Sequence, residues 1–162
     1  MNARTLAAAL LTACAIILPA RADGLGFAIN LKLSEGLKAE LASKGETIIV
    51  RAAFYGEPSE AGASEVDEMG QIPLGDEELS VLPVDGAVMI TGTTVPPAKL
   101  ALIAGAPSVN VNVFTGRKSS GDNLISCNFI DGPVAELTAA PTEIACGLIT
   151  ENPVTVMKPA KG

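Results

Sequence analysis

From Gly26 to Thr150, apolar side chains return at every second position in one short segment after another. A period of two belongs to strands and is incompatible with a mainly helical chain. In 26–33, Phe27, Ile29, Leu31 and Leu33 share one side, while Ala28, Asn30 and Lys32 share the other. In 107–114, Val109, Val111 and Val113 oppose Asn110, Asn112 and Phe114. Both read as half-buried strands. The segment 47–55 differs, because Ile48, Val50, Ala52 and Phe54 on one face are matched by Ile49, Ala53 and Tyr55 on the other. A strand apolar on both faces belongs in the middle of a sheet.

The segments 79–84 and 87–95 flank Asp85-Gly86 and are expected to form a hairpin, with Pro83 placing the first of them near an edge. Further strands are expected over 123–130, 134–138 and 142–150, and Pro58 is expected to end the strand begun at Thr47. Two interruptions are helical. Ser34 can cap a helix over 34–44 whose apolar edge is Leu37 and Leu41 and whose stop is Lys44-Gly45. Pro96-Pro97 opens a helical turn near 97–103. Seven or eight short strands at even spacing predict an all-β, single-domain sandwich over 23–150, in an immunoglobulin-like or transthyretin-like arrangement. Residues 151–162, with Pro153 and Pro159, read as a partly ordered tail.

The first 22 residues follow another logic. Arg4, an apolar run from Leu6 to Leu18 and the Ala20-Arg-Ala22 end are the parts of a secretory signal peptide, and the run is shorter than the roughly 20 residues of a membrane-spanning helix. Cleavage after Ala22 would deliver the chain to the periplasm or the exterior with no transmembrane span. The alternative is lipid attachment at Cys14, since Leu11-Thr-Ala-Cys14 resembles a lipobox. The apolar residues that follow Cys14 argue for simple cleavage.

Export leaves Cys127 and Cys146, each alternating with apolar neighbours on an inward face, and an oxidising compartment favours a disulfide between them.

Charge and composition narrow the function. The chain carries a formal charge of −7, and losing two cations with the signal, Arg4 and Arg21, takes it to −9. Such a balance repels nucleic acid and anionic lipid and favours a basic protein or a cation. The chain has no histidine, so it lacks the base of serine and cysteine nucleophile systems and the imidazoles of common zinc sites. It has no phosphate-cradling glycine motif, and with no tryptophan and one tyrosine it offers few platforms for sugars or bases. No catalytic residue and no organic cofactor are expected. A carboxylate-dependent hydrolase is the one enzymatic alternative that the abundance of acids leaves.

Candidate binding residues cluster in two places. Residues 57–78 hold Glu57, Glu60, Glu65, Asp67, Glu68, Asp76, Glu77 and Glu78 with no lysine or arginine, and read as a long acidic excursion with a turn at Gly70. The excursion, with Tyr55 beside it, is a candidate surface for a protein partner, as in an inhibitor, adaptor or envelope component. Alternatively, Glu65, Asp67, Glu68, Asp76, Glu77 and Glu78 could offer oxygens to calcium. Counted from Glu65, acids stand at the first, third and twelfth places of a calcium loop and Gly70 at the sixth, but Met69 occupies a ligand position. The second place is Arg117-Lys118, a basic pair among glycines and serines, which could meet a partner or hold an anion.

Overall fold

The structure is a computed structural model that describes residues 24–158. Residues 1–23, with the expected signal segment and Cys14, and residues 159–162 lie outside the described part.

Two sheets pack face to face. The first contains β1 (Phe27–Leu33), β4 (Gly86–Ile90), β8 (Thr142–Leu148) and β6 (Ile125–Cys127), in the order β4-β1-β8-β6. The second contains β3 (Ile72–Val81), β2 (Ile48–Pro58), β5 (Ile103–Thr115), β7 (Phe129–Pro133) and β9 (Met157–Lys158), in the order β3-β2-β5-β7-β9. Each sheet has one parallel pair, β1 with β8 and β7 with β9, and is otherwise antiparallel. This is the all-β sandwich that the alternation predicts.

The alternation also decides which atoms fill it. Phe27, Ile29, Leu31 and Leu33 of β1 face Ile48, Val50, Ala52 and Phe54 of β2 and Val109, Val111 and Val113 of β5 across one core, all of them buried. Burying a side chain of this kind contributes about 1.5–3 kcal/mol before entropy is counted. The strand with two apolar faces, β2, sits between β3 and β5, central as its pattern requires. The short helix α1 (Glu35–Ser43) is capped by Ser34, whose hydroxyl accepts the Leu37 N–H at 3.1 Å, and it buries Leu37 and Leu41. Gly45 ends it in a left-handed conformation at φ 61°. A second helical turn, α2 (Pro97–Leu100), starts at Pro97 as expected.

Three expectations are corrected. Residues 79–95 form no hairpin, because β3 and β4 belong to different sheets. Asp85 is needed elsewhere: it accepts the Leu33 N–H at 2.8 Å and meets Lys32 Nζ at 3.0 Å, fastening the crossover to the end of β1. That N–H and the lysine beside it hold the Asp85 carboxyl below its ordinary range. Secondly, 123–130 is not one strand. The chain leaves the first sheet after Cys127 and enters the second at Phe129, pivoting on buried Asn128. Thirdly, 134–138 holds a helical turn, α3 (Val134–Leu137), which buries Val134 and Leu137. β2 ends at Pro58 as expected, with Pro58 lying opposite Ile103 on β5. In the tail, β9 pairs with β7 and the Val156 N–H donates to the side chain of Asn128 at 2.9 Å.

Cys127 and Cys146 stand directly opposite each other on β6 and β8 and are joined by a disulfide. The bond closes the edge of the first sheet where β6 has only three residues.

Candidate functional site

The acidic excursion is shorter than its sequence implies, because Ile72–Val81 is strand. Its strand part carries a bulge: the register passes from Phe54 opposite Gly75 to Tyr55 opposite Pro73, so Leu74 is an extra residue. The bulge lets Ile72 and Leu74 point into the core on one side of it and turns Glu77 inward on the other. The Glu77 carboxylate accepts the N–H groups of Thr91 and Gly92 and the Thr91 hydroxyl, at 2.9–3.1 Å. It is a clamp between the edge of the second sheet and the segment after β4. Asp76 and Glu78 point outward.

The loop proper, 59–71, folds back against the sheet. Ser59 donates its N–H and its hydroxyl to the Leu102 carbonyl, each at 2.9 Å. Gly62 sits so close that a Cβ there would lie 2.2 Å from the same carbonyl oxygen, so only glycine lets the turn seat. Beyond it, Asp67 Oδ1 accepts the N–H groups of Met69 and Gln71 at 2.9 and 3.0 Å, fixing the tip that precedes β3.

Between this loop and the outer face of β2, β3, β5 and β7 lies a groove of about 560 Å³. Its floor follows from strand register. Ala53 lies opposite Asp76 on β3 and Asn110 on β5, and Asn110 lies opposite Asp131 on β7. One row across the sheet therefore reads Asp76, Ala53, Asn110, Asp131, with the alanine as its low point. Arg51 and Tyr55 stand two residues to either side of Ala53 on the same face. Asp67, Met69 and Gln71 form the wall above, and Lys99 of α2 closes one corner.

Polar contacts fix the walls. Arg51 Nη2 meets Asp76 Oδ1 at 3.0 Å, with both side chains half exposed, so the pair contributes about 0–1 kcal/mol. Lys99 Nζ donates to the Pro73 carbonyl at 2.6 Å. Tyr55 reaches past β5, and its hydroxyl donates to Asp131 Oδ1 at 2.6 Å. Burial first, then that carboxylate, push the Tyr55 phenol up to about 12. A phenol so held is a fixed platform and not a proton donor at neutral pH. Met69, by contrast, is 81% exposed.

The six carboxylates considered for calcium do not converge. Glu65, Asp67 and Glu68 are on the loop, Asp76 and Glu78 on the outer face of β3, and Glu77 on its inner side; Asp67 and Asp76 alone share the groove. Among the described residues no group of three or more histidine, cysteine, aspartate or glutamate side chains could hold a metal ion. The candidate partner contacts are also divided. Tyr55 lines the groove and Glu57 and Glu60 are exposed at the same end of β2, whereas Arg117 and Lys118 follow β5 at the other end, beside Thr47. The two ends lie roughly 30 Å apart at the rise of a strand.

The basic tip has a different organiser, which sequence reasoning missed. Buried Glu46 accepts the Ser119 N–H and hydroxyl, each at 2.8 Å, and the Thr47 N–H at 2.9 Å. Burial alone would push its carboxyl up. The hydrogen bonds from Ser119, Thr47 and the Lys118 N–H outweigh burial and hold it at about 2. The N–H groups that could have cradled an external anion are thus occupied by the protein's own carboxylate, and Arg117 takes a left-handed backbone at φ 56° to present them.

Comparison with protein-family models, with curated proteins and with solved structures finds no match to this chain. Among the described residues no helix is long and apolar enough to cross a membrane.

Proposed function

We propose that the chain is an exported, non-enzymatic binding module that holds a partner protein in the groove on the outer face of its five-stranded sheet, as an inhibitor, adaptor or envelope component. The observation that carries this reading is the seating of the acidic loop. The loop 59–71, which carries Glu60, Glu65, Asp67 and Glu68 and no cation, is folded against the sheet and places Asp67, Met69 and Gln71 in the groove wall, beside a floor lowered by Ala53 and a platform formed by the single tyrosine. An acidic wall steers a basic partner into place, and an exposed Met69 offers adaptable apolar contact at the rim.

The absence of histidine from the sequence, the bonded pair Cys127–Cys146 and a tyrosine fixed in its protonated form favour binding over catalysis. The signal-like N-terminus and the disulfide together favour a periplasmic or extracellular site of action.

Two immobilised baits test the reading against envelope and secreted extract at low and moderate salt. One is the wild-type chain; the other has Glu57, Glu60, Glu65, Asp67 and Glu68 replaced by their amides. A partner retained by the first and lost by the second is the expected result. Equal retention of every partner by both baits contradicts it.

A further inference from the structure

The two sides of the groove floor are electrostatically unlike. On the β3 side, Asp76 is answered by Arg51 at 3.0 Å, and Lys99 is spent on the Pro73 carbonyl at 2.6 Å. On the β7 side, Asp131 accepts the Tyr55 hydroxyl and forms no ion pair among the described residues. Three carboxylates, Asp67, Asp76 and Asp131, line the groove against these two cations, and both cations are turned toward β3. Asp67 also forms no ion pair among the described residues, but its Oδ1 already accepts the N–H groups of Met69 and Gln71, so the place left for a third positive charge is beside Asp131.

Shape narrows the kind of cation. Arg51 and Tyr55 are four residues apart on one face of β2, roughly 13 Å along the strand, with only the Ala53 methyl between them. That slot suits one long, narrow side chain. The Tyr55 ring is held in place through its hydroxyl, and a planar guanidinium can lie against such a ring while its N–H fork meets a carboxylate edge. A lysine ammonium, a compact and strongly hydrated charge, gains less from either group.

Resting on the reading of this groove as a partner-binding surface, we propose that it receives one arginine side chain of the partner. The stem lies on Ala53 beside the Tyr55 ring, the guanidinium pairs with Asp131, and Met69 covers the stem from above. The acidic loop then supplies attraction at a distance, and Asp131 supplies the choice of residue.

The probe is the acetylated, amidated tripeptide Gly-Arg-Gly, titrated into the isotope-labelled full chain and compared with its lysine and citrulline counterparts. Saturable shifts of the Ala53 methyl and Tyr55 ring signals are expected with arginine. Binding should weaken at least about tenfold with citrulline, which keeps the shape and loses the charge, and by a smaller factor with lysine. Asp131→Asn should weaken the arginine peptide about tenfold. Ala53→Leu, which fills the slot and leaves every charge in place, should abolish the Tyr55 ring shift, so the assignment does not depend on one variant's folding. Asp122→Asn, in the distant β5–β6 connection, should change nothing. Equal binding of the citrulline and arginine peptides, or no saturable shift with either, overturns the arginine assignment and leaves partner binding to stand on the two baits. Retention of every partner by both baits overturns the partner-binding reading itself.

Discussion

The carboxylate of Glu46 and the N–H and hydroxyl of Ser119, 73 residues apart in sequence, meet at 2.8 Å and join the start of β2 to the β5–β6 connection. Glu46→Gln removes the charge and at least one acceptor from a buried site. It is expected to cost about 1–3 kcal/mol in denaturant unfolding at neutral pH.

The same carboxyl makes stability depend on pH. Its value of about 2 lies below the ordinary 4.5, so the stabilisation is complete above the ordinary value and is lost as pH falls from there through the folded value. Asp85, also held low, acts in the same direction. The wild type should therefore lose stability on acidification, and the Glu46→Gln deficit should shrink toward zero near pH 2. A deficit that stays constant with pH would contradict the assignment.

Tyr55 titrates in the opposite sense. Its phenol, raised from 10.0 to about 12, favours the folded state below pH 10, and that contribution is lost as pH rises through 12. With one tyrosine and no tryptophan in the chain, the phenolate absorbance reports this group alone. Its midpoint should lie well above 10 for as long as the sheet signal in circular dichroism persists. Asp131→Asn should lower it only in part, because burial is the larger cause.

Much of the fold was legible because strands announce themselves twice, by parity and by their ends. β1, α1, β2 and the part of β5 from residue 107 onward come directly from apolar spacing, and the disulfide from two inward cysteines in alternating segments. What failed depends on partners distant in sequence. Asp85-Gly86 looks like a hairpin turn, yet its neighbours pair with different sheets, and no local pattern distinguishes the two outcomes. The break at Asn128 did leave a trace: Ile125 and Cys127 share a parity that fully buried Ile130 does not. The groove was half legible. Tyr55 and the acids were visible as residue types, but Ala53 as a floor, Asp131 as a partner and Glu46 and Glu77 as clamps exist only once register is set.

Cys127→Ala with Cys146→Ala opens a loop with a sequence separation of 19 and frees the three-residue strand β6. A loss of about 3 kcal/mol is expected in denaturant unfolding. Because the bond lies in the other sheet, groove binding below the unfolding transition should be unchanged.

Gly62→Ala places a methyl 2.2 Å from the Leu102 carbonyl oxygen and forces the acidic loop off its seat without altering any charge. Partner binding should fall at least about tenfold, with a stability cost of about 1–3 kcal/mol. Gly121→Ala, whose Cβ meets nothing within 4 Å, is the control and should leave both unchanged.

The most direct test of the groove as a partner surface is photo-crosslinking from a benzoyl-phenylalanine introduced at Met69 on its rim or at Asn30 on the outer face of the opposite sheet. A partner adduct from position 69 and none from position 30 is the predicted result. An adduct from position 30 with none from position 69 would contradict the account and move the binding surface to the other sheet.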